Sequence, residues 1–476
     1  KNPHYANEFL YASERSKAAV SYQGFLMAGK MESLDIPSEI IEYKRQLDQE
    51  VINLQAESAQ GHKQLIQKTQ ERDSLSEVIR INYPSYYNER LNSNYASVGD
   101  LQKKLDEESA FLIFQTGHVP HEKVNTGLTV MLVTKNNVEM GNFAADDLSV
   151  KVEQFLQDLK DRKEQLSYND ELYELLYLNR IKKLNTIKHL SIIASDELNY
   201  LPFDILADPE GRFIVEDFTV RYLQSASMGL LLDNQKSIVQ TSSFIAPEIG
   251  GVTRGDGASS ASTLTLSGTR VEVDEIVSMI GGNVLDDVSK EGILQSFSNS
   301  DLIHLATHAE VNLQAPGKSA IYLSNHPDSV IYAYELYKQN FNAALVTMSA
   351  CNTGVGKIQT GEGIQSLGRA FSYAGCPNLI MSHWAVNDES TAELMQYLYQ
   401  NLKEGMPKDE ALRQAKLTYL ANADPVKAHP YYWAGFTFSG DPTPLSFKSN
   451  SMFWWIVPVI IVLIAISIRS RKRNQS

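Results

Sequence analysis

The chain of 476 residues carries 43% hydrophobic and 21% charged residues and a formal net charge of −14. That length predicts about two to four domains, and the composition supports a sizeable core. The acidic balance excludes non-specific nucleic-acid binding, which needs a basic face, and two cysteines, Cys351 and Cys376, make neither a disulfide scaffold nor a thiolate metal site.

The sequence begins at Lys1 rather than Met, so any signal peptide or upstream domain would lie outside it. Residues 1 to about 30 predict a helix ending near Gly29. From Pro37 to about Ile81, apolar Ile40, Tyr43, Leu47, Val51 and Leu54 recur at steps of three and four, the period of an amphipathic helix. A turn near Gly61 would fold this stretch into a helical hairpin or short coiled coil, and Tyr83-Pro84 ends it. A solvated packing helix and a partner-binding arm both fit the pattern.

The character changes after Asp100. Phe111–Gln115 and Leu128–Thr134 are short apolar runs, and Asn136-Asn137 suits a hairpin turn. Leu148–Leu178 predicts helix, Leu190–Ala194 a strand covered on both faces, and Val220–Leu223 and Ser243–Ala246 further strands. Residues 248–268, rich in Gly, Ser and Thr, read as a surface loop, for linkage or for processing. A regular series follows: helix Val271–Ile280, strands Leu302–Leu305 and Ala344–Met348, helix Ile364–Ala374, strand Asn378–Ser382, helices Glu389–Leu402 and Lys408–Leu420, and strand Trp433–Phe438. Strands alternating with helices predict an α/β layered fold.

Met452–Ile468 is uncharged, with Trp454 and Trp455 at one end and Arg469, Arg471, Lys472 and Arg473 directly after it. Residues 450–468 therefore predict a transmembrane helix and 469–476 a basic tail. The excess of positive charge after the span predicts a single-pass membrane protein with its tail inside and its main body outside the cytoplasm. A tail-anchored protein facing the cytoplasm is the alternative.

Two strand ends carry chemistry. One is Ile303-His304-Leu305-Ala306-Thr307-His308-Ala309, the other Thr347-Met348-Ser349-Ala350-Cys351-Asn352-Thr353-Gly354. In open parallel sheets, functional groups sit at the carboxyl ends of strands. If these strands are neighbours, His308 and Cys351 project into one crevice. A thiol is mostly protonated at neutral pH. A nearby imidazole takes its proton, the thiolate attacks a peptide carbonyl, and the imidazole then protonates the leaving amine. The backbone N–H groups of Cys351 and Ala309 are the candidate donors to the oxyanion. By spacing alone, Cys351 also fits a small buried hydrophobe, and His308 a structural hydrogen bonder.

The ordered motifs carry more. From about Leu190 to Leu445 the chain resembles the CHAT family, caspase-like domains found beside tetratricopeptide repeats and related to caspases and separases. The resemblance rests on Leu201-Pro202-Phe203, Gln224-Ser225-Ala226-Ser227, His304-Leu305-Ala306-Thr307-His308, Ser349-Ala350-Cys351-Asn352-Thr353-Gly354, Gly361-Glu362-Gly363, Ala374-Gly375, His383-Trp384, His429-Pro430-Tyr431-Tyr432-Trp433-Ala434-Gly435-Phe436 and Gly440-Asp441-Pro442. It implies a cysteine endopeptidase with His308 as base and Cys351 as nucleophile. It also implies an inactive caspase-like half at 100–247 packed on an active half at 269–447. The helices of residues 1–99 then resemble the tail of a repeat array, open to a regulatory protein partner. Ala309 stands where the family often has Gly, and a backbone N–H serves either way. Members are often proteolytic effectors in bacterial defence or regulation.

Other residues keep two readings. His304 shares strand parity with His308 and either supports it or is a satisfied core histidine. Trp384 and Asp388 follow a strand end and, with Glu362, are candidates to line the substrate pocket, although Trp384 equally suits a core. Cys376 reads as buried and inert; His429, Tyr431, Tyr432 and Trp433 read as packing. No cofactor is expected, and His304 with His308 lacks a third metal ligand nearby in sequence. The expected activity is endoproteolysis of protein substrates at a membrane. A non-catalytic interaction scaffold is the alternative, and a metal-dependent hydrolase stands well behind both.

Overall fold

A computed structural model describes residues 3–17, 37, 40, 43–44, 47, 50–51, 62–83, 95–118, 125–145, 147–232, 237–247, 267–285, 289–312, 316–323, 329–336, 339–349, 365–376, 378–384 and 387–448. Its centre is one mixed sheet of eleven strands: β1 Ser109–His118, β2 Asn125–Thr134, β3 Val138–Phe143, β4 His189–Ile193, β5 Thr219–Tyr222, β6 Ser242–Ile245, β7 Asn283–Val284, β8 Leu302–Leu305, β9 Leu345–Met348, β10 Leu379–Ser382 and β11 Phe436–Ser439. Their spatial order is β3-β2-β1-β4-β5-β11-β10-β9-β8-β6-β7.

The strand directions divide this sheet in two. β1, β4, β5 and β11 run parallel, and so do β10, β9, β8, β6 and β7. The blocks meet where β10 and β11 pair antiparallel, from Leu379↔Ser439 to Ser382↔Phe436. β6, which precedes the Gly/Ser-rich stretch in sequence, pairs within the second block. The hairpin β1-β2-β3 closes one edge, its second turn formed at Asn136-Asn137.

Side-chain alternation explains why the strands read as nearly continuous apolar runs. On β1, Phe111 and Ile113 enter one core while Ala110, Leu112 and Phe114 enter another. On β8, Ile303 and Leu305 face the core that takes Phe371 and Phe297, while Leu302 faces the opposite one. With period 2, every strand buried on both faces must be apolar throughout. The helices Ser267–Ile280, Asp388–Lys403 and Lys408–Asn422 supply Ile276, Leu394 and Leu412 to the Leu302 face. The helices Lys290–Ser298 and Gln365–Tyr373 cover the other. Gly375 has φ of +98°, and a Cβ there would collide with the Phe341 carbonyl oxygen. That accounts for glycine in the Ala374-Gly375 pair.

Two boundaries and two elements differ from expectation. The helix predicted over Leu148–Leu178 ends at Lys160, and Asn169–Leu175 and Leu178–Lys183 follow as separate helices. Arg162, Tyr168 and Tyr177 take positive φ at the breaks, a conformation periodicity does not reveal. β3 and the helix Lys290–Ser298 are additional elements. Trp433 belongs to the turn before β11, not to the strand.

The helix Pro3–Lys17 docks on the first block through Ala6 and Leu10. Its Glu14, 1% exposed, accepts the backbone N–H groups of Ala226 (2.7 Å) and Ser227 (2.9 Å). These are orphan donors at the start of the helix Ala226–Leu231. Glu14→Ala leaves both unsatisfied and is expected to destabilise the docked helix by about 2 kcal/mol. Faster amide exchange across Pro3–Lys17, with β4 and β9 unchanged, is the expected readout. Farther on, Lys68 bridges Glu50 (2.8 Å) and Glu71 (3.1 Å), and Tyr43 donates to Glu71. These contacts hold Tyr43 and Glu50 against the helix His62–Asn82.

The expectation of a single-pass membrane protein is overturned. Among the described residues no helix is long and apolar enough to cross a membrane. The helix His62–Asn82 has the length, but Lys63, Lys68, Glu71, Arg72, Asp73, Glu77 and Arg80 make it too polar for hydrocarbon. Residues 450–468 and the basic tail 469–476 lie outside the described residues. The membrane anchor and the orientation built on it are withdrawn.

Candidate active site

β8 and β9 are hydrogen-bonded parallel neighbours, with Leu302↔Leu345, His304↔Thr347 and Leu305↔Met348 in register. The pairing continues past the strand ends, where the Ser349 N–H donates to the Leu305 carbonyl at 3.0 Å and the Ala306 N–H to that of Ile245 at 2.8 Å. His308 follows Leu305 by three residues, as Cys351 follows Met348. His308 is described; Cys351 and Glu362 lie outside the described residues.

His308 is half-buried. Burial holds its imidazole below the usual 6.5, and the carboxylate of Asp388 pulls in the opposite direction. Asp388 stands in the first turn of the helix Asp388–Lys403, capped by Asn387, whose side chain accepts the Ser390 N–H at 3.1 Å. Its carboxyl is raised by partial desolvation and by Glu272, against the His308 charge. The neighbouring segment is a small antiparallel sheet of residues 309–310, 320–322 and 330–332. There the Tyr322 N–H donates to the His308 carbonyl at 2.9 Å. Around the Ala309↔Ile321 pair the ladder bonds therefore flank Ala309, and its own N–H is directed to the opposite edge.

The remaining candidates separate by environment. Trp384 is 2% exposed, and its indole N–H donates to the Tyr431 carbonyl at 2.9 Å. That places the ring in the core, where Asp388 by contrast is exposed. Cys376 is buried. His429 caps the turn Pro430–Tyr432 by accepting the Tyr431 N–H, and Trp433 donates to Ala428 at 3.0 Å. Among the described residues no group of three or more His, Cys, Asp or Glu side chains could hold a metal ion.

Buried polar partners of these elements escaped the sequence reading. His304 is fully buried beside Glu272 and Tyr399. Neither residue carries a motif signal, because each occupies one polar position on an otherwise apolar helix face. His383 lies with Nε2 2.9 Å from Thr437 Oγ1. Burial, reinforced by the Lys416 charge, pushes it from 6.5 down to about 4. Above pH 6.5 the ring is neutral in both folded and unfolded chains and stability does not respond. Below it the unfolded chain binds a proton that the folded chain refuses. Stability should therefore fall between pH 6.5 and about 4 and level off below. A loss on the order of 3 kcal/mol is expected. Urea midpoints measured across this range should lose that component in His383→Asn.

A family model, the CHAT domain, matches residues 167–441. Among curated proteins, tetratricopeptide repeat protein 28 of Mus musculus is 22% identical over 197 residues, which is 34% of this chain and 8% of that protein. The chain thus matches less than a tenth of that relative's length. Among solved structures, the Saccharomyces cerevisiae separase–securin complex aligns with TM-score 0.45 and 10% identity over 87% of this chain and 42% of that one. The Arg specific cysteine proteinase gingipain R aligns with TM-score 0.40 and 11% identity over 63% and 75% of the two chains. Caspase-1 from Spodoptera frugiperda gives 0.28 and 13% over 46% and 94%. The family model spans more than half of the sequence, including the strands that lead to His308 and Cys351, and the chain belongs to the CHAT domain family.

Proposed function

We propose that this chain is a cysteine endopeptidase acting on protein substrates, with Cys351 as nucleophile and His308 as general base and acid. The observation that carries this reading is the register of β8 and β9. Two paired parallel strands end together, and the two reactive residues follow them at equal distances along the chain. Membership of the CHAT family supports the same assignment.

His308 takes the thiol proton as the Cys351 sulfur bonds to the scissile carbonyl carbon. The C–N bond then breaks as the same proton passes to the leaving amine. Water, deprotonated by His308, releases the acyl group and restores the thiol. Burial favours the uncharged imidazole that the first step requires. The outward Ala309 N–H suits an oxyanion donor, with the Cys351 N–H as its partner. Glu362 and Asp388 are the candidates for contacting the substrate.

The opposite strand directions support a two-half architecture, an inactive half within 100–247 and an active half within 269–447 joined through 248–268, with β6 and β11 each contributed to the other half's block. The docked helix Pro3–Lys17 supports control by a protein partner acting on the helical region 1–99.

The test is cleavage of a diverse peptide library by the full chain beside a Cys351→Ala control. Cleavage confined to the unmodified chain is expected. Silence in both, with an electrophilic thiol probe labelling Cys351 no faster than Cys376, would sink the reading and leave an interaction scaffold.

A further inference from the structure

Directly beneath the two strand ends lies a polar cluster for which the proposed chemistry has no use. Tyr399 Oη is 2.9 Å from His304 Nδ1 and donates to Thr347 Oγ1 at 3.1 Å. On the other side of the ring, His304 Nε2 is 3.0 Å from Glu272 Oε1 and 3.5 Å from Ser349 Oγ. All five residues are 2% exposed or less. Burying this many polar atoms, a carboxylate among them, is unfavourable against an apolar alternative of the same volume. The positions around them show that such an alternative fits, since Leu302 and Leu345 fill the same face one step back along each strand.

The cluster joins the elements that build the site. His304 is on β8, four residues before His308. Thr347 and Ser349 are on the chain leading to Cys351. Tyr399 is on the helix whose first turn carries Asp388, and Glu272 is on the helix packed against it. A ring held at both nitrogens cannot flip without placing carbon against Tyr399 and Glu272. These contacts tie one element to another: β8 to the Asp388–Lys403 helix through Tyr399, β8 to the Ser267–Ile280 helix through the approach of Glu272, and the Asp388–Lys403 helix to β9 through Tyr399 and Thr347.

We infer that the buried Glu272–His304–Tyr399 network is a positioning device for the active site, holding the β8 end and the Asp388 helix so that His308 keeps a productive orientation. The inference rests on the endopeptidase reading. None of the three residues touches substrate.

The experiment compares the full chain with Tyr399→Phe and Glu272→Gln, both close in shape to the native side chains. Three readouts are taken: the melting temperature, kcat and KM on a cleaved library peptide, and the His308 ring resonance in histidine-labelled protein, assigned with His308→Gln. Folded variants with kcat lowered at least tenfold, KM within twofold and a displaced His308 resonance are expected. Folded variants with unchanged kcat and an unmoved His308 resonance would overturn the inference. So would a loss of kcat that only tracks the unfolded fraction. If Glu272→Gln does not fold, Tyr399→Phe, which disturbs no charge, decides alone; if neither folds, the network is a folding requirement and the inference falls. A native chain that cleaves nothing defeats the endopeptidase reading, and the His308 resonance then decides the positioning role by itself.

Discussion

Cys351→Ala is expected to lower kcat/KM for peptide cleavage by about 10³-fold or more, and His308→Ala by a similar factor. The double variant should be scarcely worse than either single one. A nucleophile without its base and a base without its nucleophile are equally ineffective, so the losses overlap instead of adding. Cys376→Ala supplies the control, because that thiol is buried in the apolar core beside Phe371 and should leave cleavage unchanged. The pH profile adds a second check. His308 must be uncharged to accept the thiol proton, and burial holds it below 6.5. The acidic limb of kcat/KM is therefore expected below pH 6.5. An acidic limb above that value, or additive losses in the double variant, would remove His308 from the role of base.

Asp204→Ala is expected to destabilise the protein by about 3–5 kcal/mol. Lys416 Nζ lies 3.1 Å from Asp204 Oδ2, with the two side chains 1% and 7% exposed. The pair links the turn Phe203–Ile205 of the first block to the helix Lys408–Asn422, which is far away in sequence. Burial pulls the Lys416 ammonium down from 10.5, and the Asp204 carboxylate resists that shift. Without the carboxylate, the ammonium is left buried beside the histidine that it already disfavours in its charged form, His383. The same reasoning gives the opposite result for a paired replacement. Asp204→Leu together with Lys416→Met removes both charges and fills the space, so it should be neutral or stabilising by about 1–4 kcal/mol. Chemical denaturation of the two variants distinguishes a pair that contributes stability from one whose importance lies in never being half removed.

The strands were legible because their pattern is local. A strand covered on two faces must be apolar at every position, and Leu302–Leu305 and Leu345–Met348 are interrupted only by His304 and Thr347. The three-residue step from each strand to His308 and Cys351 is likewise written in consecutive residues. The C-terminal apolar run was as legible, yet among the described residues no helix has the apolar length to cross a membrane.

What consecutive residues cannot express is which elements meet. The antiparallel seam between β10 and β11, and the entry of β6 into the second block, depend on competition among strands that are all similarly apolar. The breaks at Tyr168 and Tyr177 depend on packing that forces positive φ on residues that do not favour it. The polar residues that matter most inside, Glu14, Asp204, Glu272, Tyr399 and Lys416, each find their partner on another element. Taken alone, each resembles a surface residue. Only the tertiary structure turns them into caps, ion pairs and a buried polar cluster beneath the ends of β8 and β9, because burial makes a polar group depend on the one partner that satisfies it.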